Sequence, residues 1–253
     1  MTKPVIGFIG LGLMGSNMVE NLQTRGFEPI VMDLNKDAVA AVVARGATEA
    51  ASAKELAEAS DIVMLCLTTS KVVEMLVYAE DGLLAGIKEG AVLIDFGTSI
   101  PASTRKIGAD LASKGAGMID APLGRTPAHA KDGLLNIMAS GDQATFDKVK
   151  PILDMQGENV FYLGALGAGH TTKLINNFMG MTTVATMSQA FAVADLAGVD
   201  RQQLWEIMST GPSMSLDGWT WNISSPQPLA PLGFLSLLPE QSRHPGDAAR
   251  IRQ

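Results

Sequence analysis

The sequence predicts an α/β fold: a doubly wound parallel sheet followed by an all-helical region. Three observations predict it. Short, almost wholly apolar runs alternate with amphipathic stretches through the first 164 residues, as strands buried on both faces by crossover helices require. A glycine turn, "IGLGLMG", joins the first apolar run to the first helical stretch. After Gly169 the alternation stops, and His170–Gly198 carries apolar residues at three- and four-residue steps, interrupted only by Gly180.

The elements follow in order. "PVIGFI" reads as a first strand and "LMGSNMVENLQTRG" as a helix, with Met14, Met18 and Leu22 on one face and Gly26 as its stop. "EPIVMD" is a second strand, and "NKDAVAAVVARG" a helix that Asn35 is placed to cap. "SAKELAEAS", "DIVMLCL", "SKVVEMLV", "AVLIDFGT", "PASTRKIGADLASKG" and "GMIDAPLG" then continue the alternation up to a fifth strand. "TFDKVKPILDMQG" and "ENVFYLG" add one more helix and strand. Residues 1–164 are thus expected to form one domain and 165–253 a second, with a long helix as its spine and "RQQLWEIMST" as a further helix. After about residue 215 irregular structure is expected, because six of the twelve prolines lie beyond Gly211 and no period is sustained.

Composition narrows the function. Hydrophobic residues make up 47 %, so the chain can bury a sizeable core. The formal net charge is −7 with no basic stripe, which argues against a nucleic-acid partner. A single cysteine, Cys66, excludes an internal disulfide, and His129, His170 and His244 show no metal-ligand spacing. No uncharged apolar run reaches the roughly 18 residues of a membrane span. No secretory signal opens the chain, so a cytoplasmic protein is expected.

The turn "IGLGLMG" sets Gly10, Gly12 and Gly15 in G-x-G-x-x-G spacing between a strand and a helix. Such a turn brings a pyrophosphate against the free N–H groups of the helix start, here those of Leu13 and Met14. Asp33 ends the second strand, where a carboxylate accepts from adenosine ribose hydroxyls and repels a 2′-phosphate, so NAD is expected rather than NADP. Lys36 nearby pulls the other way. Leu67 and Thr68, and then Thr98, follow the third and fourth strands at the same sheet edge. The Thr68 and Thr98 hydroxyls serve either the nicotinamide ribose or local turns and caps.

"KLINN" puts Lys173 and Asn177 on one helix face, with Asn176 beside them. Such a lysine is either a snorkelling surface residue or a desolvated one whose lowered pKa suits proton transfer. "DAPLGRTPAHAKDG" places Arg125 between Gly124 and Thr126 in a loop stiffened by Pro122 and Pro127. Arg125 is either a solvated charge or a cation for an anionic substrate.

Four blocks together, "GFIGLGLMGSNM", "DFGTSIP", "DAPLGRTPAHAKDG" and "GAGHTTKLINN", resemble the β-hydroxyacid dehydrogenases, the group of 3-hydroxyisobutyrate dehydrogenase. The resemblance spans residues 1 to about 215. It implies a Rossmann domain, a helical domain joined to it by one long helix, and an active site between them. It implies that Lys173 is the catalytic lysine, Asn177 its substrate-orienting neighbour, and Thr98 a contact to the nicotinamide end. In most members the loop reads Ser-Gly-Gly; Gly124-Arg125-Thr126 is similar to the sulfolactaldehyde reductases, which implies a small anionic substrate, a sulfonate ahead of a carboxylate. The family's second lysine, in later helices, has no counterpart, because no lysine follows Lys173. The ending reads as truncated or out of frame, and the family's homo-oligomer would then lack its interface helices. Two other functions stay open at this stage: a dinucleotide-binding protein without catalysis, and a reductase acting on imines.

Overall fold

A computed structural model describes residues 3–210. The chain divides into two compact units, Met1–Val184 and Ala185–Gln253. The first unit begins with the expected alternation, to which one short strand, β3, is added: β1 (Ile6–Ile9), α1 (Leu13–Thr24), β2 (Ile30–Met32), α2 (Lys36–Val43), β3 (Thr48–Glu49), α3 (Ala53–Ala59), β4 (Ile62–Leu65) and α4 (Ser70–Tyr78). It continues through α5 (Leu83–Gly86), β5 (Val92–Asp95), α6 (Pro101–Ala112), β6 (Gly117–Asp120), β7 (Leu123–Gly124), α7 (Pro127–Asp132), β8 (Leu135–Gly141), α8 (Gln143–Gln156) and β9 (Gly157–Tyr162). The long helix α9 (Ala168–Leu196) starts in this unit.

The strand order is β3-β2-β1-β4-β5-β6-β8-β7, with β9 also paired to β8, and the sheet is parallel from β3 to β6. Every residue of β1, β4 and β5 is buried, because helices cover both faces. Phe8, Met18, Leu22, Met64 and Ile94 fill one layer; Leu56, Leu65, Leu83, Leu93 and Leu111 fill the other. Each such side chain contributes roughly 1.5–3 kcal/mol of burial.

Local chemistry starts the helices. The Asn35 side chain accepts from the N–H groups of Asp37 and Ala38, as its position predicts. Ser52 caps α3 and Thr69 caps α4 in the same way, and Pro101 stands at the start of α6 where no N–H is needed.

The expectation of a wholly parallel sheet is corrected at its outer part. The predicted strand "GMIDAPLG" splits at Ala121–Pro122 into β6 and β7, and "LNIMASG" forms β8, antiparallel to both. The loop expected over Asp120–Gly133 contains β7 and the helix α7. β8 shows a period-2 burial pattern at its start, with Leu135, Ile137 and Ala139 buried and Asn136 and Met138 half-buried. Strand β8 pairs with Asp120 through Ser140 and runs five residues further, back to Leu135, so β7, β8 and β9 rise as a wall beyond the carboxyl edge of the sheet.

In the second unit the described residues hold the remainder of α9 and α10 (Arg201–Thr210). Arg201 pairs with Asp195, and Asp200 accepts the Gln203 N–H at 2.9 Å. The irregular structure expected after about residue 215 lies outside the described residues.

Candidate active site

The strand register aligns Ile9, Leu65, Asp95 and Asp120 in one row across the parallel strands, with Ser140 of the antiparallel β8 opposite Asp120. This row is the carboxyl edge of the sheet, where ligands bind in folds of this kind. At one end of it lies a cleft of about 530 Å³. Gly10, Gly12, Asp33, Leu67 and Thr68 line it, as the sequence predicts. Leu34, Val72, Met75 and Leu76 add apolar walls that sequence reasoning did not single out, since an isolated apolar residue near a strand end carries no signal of its own.

The glycines do three different jobs. Gly10 has φ +101°, and a Cβ there would stand 2.4 Å from the Cys66 carbonyl oxygen. A Cβ on Gly15 would stand 1.8 Å from the Gly10 carbonyl oxygen, so α1 packs on the turn only because that atom is missing. A Cβ on Gly12 would meet nothing within 4 Å; the space before it is open to a phosphate. The first turn of α1, with Leu13 exposed and Met14 half-buried, carries no acidic residue. No acidic side chain of that turn therefore competes with an anion for its N–H groups.

Asp33 closes the turn onto β2. Its Oδ2 accepts the Leu11 N–H at 2.5 Å and its Oδ1 the Asn35 N–H at 2.7 Å. Each carboxylate oxygen keeps a second lone pair for a ribose hydroxyl. The residues present thus fit a nicotinamide dinucleotide. Burial pushes the Cys66 thiol up to about 12, so it is no nucleophile in this cleft. The hydroxyls after strands β4 and β5 divide. Thr69 is a cap, the Ser70 hydroxyl accepts the Ile100 N–H at 2.7 Å, and Ser99 donates to Asp95 at 2.8 Å. Thr68 remains exposed at the cleft and Thr98 half-buried.

At the other end of the row α9 begins. A Cβ on Gly169 would stand 2.2 Å from the Met138 carbonyl oxygen and 2.9 Å from Asp120 Oδ2, so the helix start is pressed onto β6 and β8. One turn further Lys173 is half-buried, and burial alone holds its pKa below the ordinary 10.5. Asn176 and Asn177 are exposed on the next turn, where their amides are open to a ligand.

Arg125 has φ +77°, the left-handed region, alone among the described non-glycine residues. Its Nη1 donates to the Leu134 carbonyl at 2.7 Å and to the Glu158 carboxylate. The guanidinium is therefore held against Leu134, just before β8, and Glu158 of β9. Gly124 pairs with Asn136, and the Thr126 hydroxyl meets His129 Nδ1 at 2.7 Å. Sequence reasoning also missed a buried polar group at the row's end: Asp95, Asp120, Ser140, Thr104 and His170. Burial raises the Asp95 carboxyl above its usual range, against the pull of His170.

An edge that carries a glycine turn, a carboxylate at the end of β2 and a half-buried lysine fits a nicotinamide-dinucleotide-dependent oxidoreductase. Residues 5–164 match the NAD binding domain of 6-phosphogluconate dehydrogenase, and residues 167–226 the NAD-binding domain of NADP-dependent 3-hydroxyisobutyrate dehydrogenase. The chain is 36 % identical over 223 residues to the NAD-dependent L-serine dehydrogenase of Pseudomonas aeruginosa, covering 88 % of this chain and 74 % of that one. It is 34 % identical over 204 residues to the 3-sulfolactaldehyde reductase of Escherichia coli, covering 81 % and 68 %. The solved structure of Mycobacterium tuberculosis 3-hydroxyisobutyrate dehydrogenase with L-serine superposes with a TM-score of 0.78 at 27 % identity, over 90 % of this chain and 77 % of that one. The protein belongs to the β-hydroxyacid dehydrogenase family. Among the described residues, no helix is long and apolar enough to cross a membrane.

Proposed function

We propose that the chain interconverts a small anionic 3-hydroxy acid, or a sulfonated alcohol, and its aldehyde, with NAD(H) as cofactor. One observation carries this reading: a half-buried lysine with a lowered pKa stands one turn past a helix start that is pressed onto the carboxyl edge of the sheet. The bound dinucleotide supplies or accepts the hydride. Lys173 gives its proton to the carbonyl oxygen during reduction and takes it from the hydroxyl during oxidation. Asn177, four residues on, and Asn176 orient the reactant with their amides. Asp33 favours NAD because its charge repels a 2′-phosphate. Thr98 serves the nicotinamide end, and Gly124, Arg125 and Thr126 receive the substrate anion.

The left-handed backbone at Arg125 costs about 1–2 kcal/mol, and retention of such strain fits a functional position. A guanidinium has five donors, so those not engaged by Leu134 and Glu158 remain for oxyanions. Arg125→Gly is expected to keep stability within about 1 kcal/mol, because relief of the backbone offsets an exposed ion pair. KM for the anionic substrate should rise at least about 10-fold. An unchanged KM removes Arg125 from the site.

The test of the function is NADH and NADPH oxidation with sulfolactaldehyde, tartronate semialdehyde and methylmalonate semialdehyde. NADH should be used with kcat/KM at least about 10-fold above NADPH. NADH binding by calorimetry without turnover of any of the three would instead support a binding protein. Turnover confined to amine and carbonyl pairs would support an imine reductase.

A further inference from the structure

The start of α9 is held by side chains, not by solvent. Asp120 Oδ1 accepts the Gly167 N–H at 2.8 Å, and its Oδ2 accepts the His170 N–H at 2.7 Å. The Ser140 hydroxyl accepts the Gly169 N–H at 2.9 Å and donates its own proton to Asp120 Oδ1. Three backbone N–H groups that a helix start leaves without partners are thus taken by two residues. Those two residues are cross-strand partners, Asp120↔Ser140, and both are fully buried. The carboxylate also lies at the positive end of the helix, where its hydrogen bonds are charge-assisted.

The His170 side chain adds a second anchor. Its Nδ1 meets the Thr104 hydroxyl at 2.8 Å, and the ring is wedged between Asp95 and Asp120, each 3.7 Å away. His170 precedes Lys173 by three residues, one helical turn. Each residue of an α-helix turns about 100° around its axis, so a slip of one residue at this start would swing the Lys173 side chain through about a quarter of a circle. The row of strand ends and the helix that carries the amine are therefore fastened to each other by a buried polar cluster.

The geometry points to Asp120 and Ser140 as positioning residues: through the backbone of Gly167, Gly169 and His170 they set where Lys173 stands over the carboxyl edge. This rests on the proton-transfer role given to Lys173 above. Both side chains are fully buried, so they act through the backbone they hold.

Ser140→Ala tests it, with Asp120→Asn as the stronger variant. Ser140→Ala removes only an oxygen and is expected to fold. Asp120→Asn replaces one of two acceptor oxygens by a donor. Expected for Ser140→Ala are NADH affinity within about twofold of the parent and kcat lowered about 10- to 100-fold, the size of a small displacement of a reacting group. The inflection in the pH–rate profile should move up towards 10.5, because the amine becomes better solvated. Amide hydrogen exchange in the peptide 167–173 should accelerate at least about 10-fold while that of β1 and β4 is unchanged. A kcat and pH profile equal to the parent's overturns the inference. So does a loss of NADH affinity as large as the loss of kcat, which would mark general damage. If the parent turns over none of the three aldehydes, the proposed function fails instead, and the exchange at 167–173 alone decides whether these residues anchor α9: acceleration supports it and an unchanged rate overturns it.

Discussion

Lys173→Ala is expected to lower kcat by about 10²- to 10⁴-fold, the span that a positioned general acid or base supplies, and to leave NADH affinity almost unchanged. Lys173→Arg should not restore the rate, since a guanidinium stays protonated at every working pH. Burial holds the Lys173 pKa below 10.5, and the sign of the pH dependence follows from the direction of reaction. Reduction needs the ammonium, so its kcat falls as pH rises through that lowered pKa. Oxidation needs the free amine, so its kcat rises through the same point. Both inflections should lie below 10.5 and disappear in the alanine variant. Stopped-flow NADH oxidation with the turned-over aldehyde reads the chemical step directly. Equal turnover by parent and Lys173→Ala would end the role of this residue.

The second large effect is expected at the phosphate turn, where two neighbouring glycines should answer differently. Gly15→Ala places a methyl group 1.8 Å from the Gly10 carbonyl oxygen and 3.0 Å from the Phe8 ring. The obstacle is backbone, so α1 must lift from β1. A loss of about 3 kcal/mol in stability is expected, with NADH binding lost alongside. Gly12→Ala meets nothing within 4 Å, and Gly12 has φ −66°, which alanine adopts freely. Its stability should stay within about 0.5 kcal/mol of the parent, while NADH affinity falls at least about 10-fold because the methyl group fills the phosphate space. Thermal melts and calorimetry on the pair separate the two causes. Parent-like NADH binding by Gly12→Ala would show that the pyrophosphate does not lie there.

The resemblance drawn from four sequence blocks and the family shown by comparison with known proteins agree, and the reason is local. The glycine turn, Asp33 at a strand end, the Asn35 cap and the i, i+4 pair Lys173 and Asn177 are each encoded in a short stretch of chain. Hydrophobic period and helix caps act over the same short range, so strands β1, β2, β4, β5 and β6 and the longer helices between them could be read from the residues alone. Two strands were not read: β3, only two residues long, and β8, whose Gly- and Asn-containing stretch alternates too briefly to stand out.

What the tertiary structure alone decided lies across larger separations. Asp120 meets Ser140 only because β8 turns back antiparallel to β6, and it meets His170 fifty residues on only because glycines let α9 press against that pair. Arg125 finds Glu158 across 33 residues by the same return of the chain. Sequence spacing determined which residues could do chemistry here, because propensity and periodicity are properties of neighbours along the chain. Sheet register decided which of them are held, paired or left open, because a slip of one residue in β8 would turn each of its side chains to the opposite face.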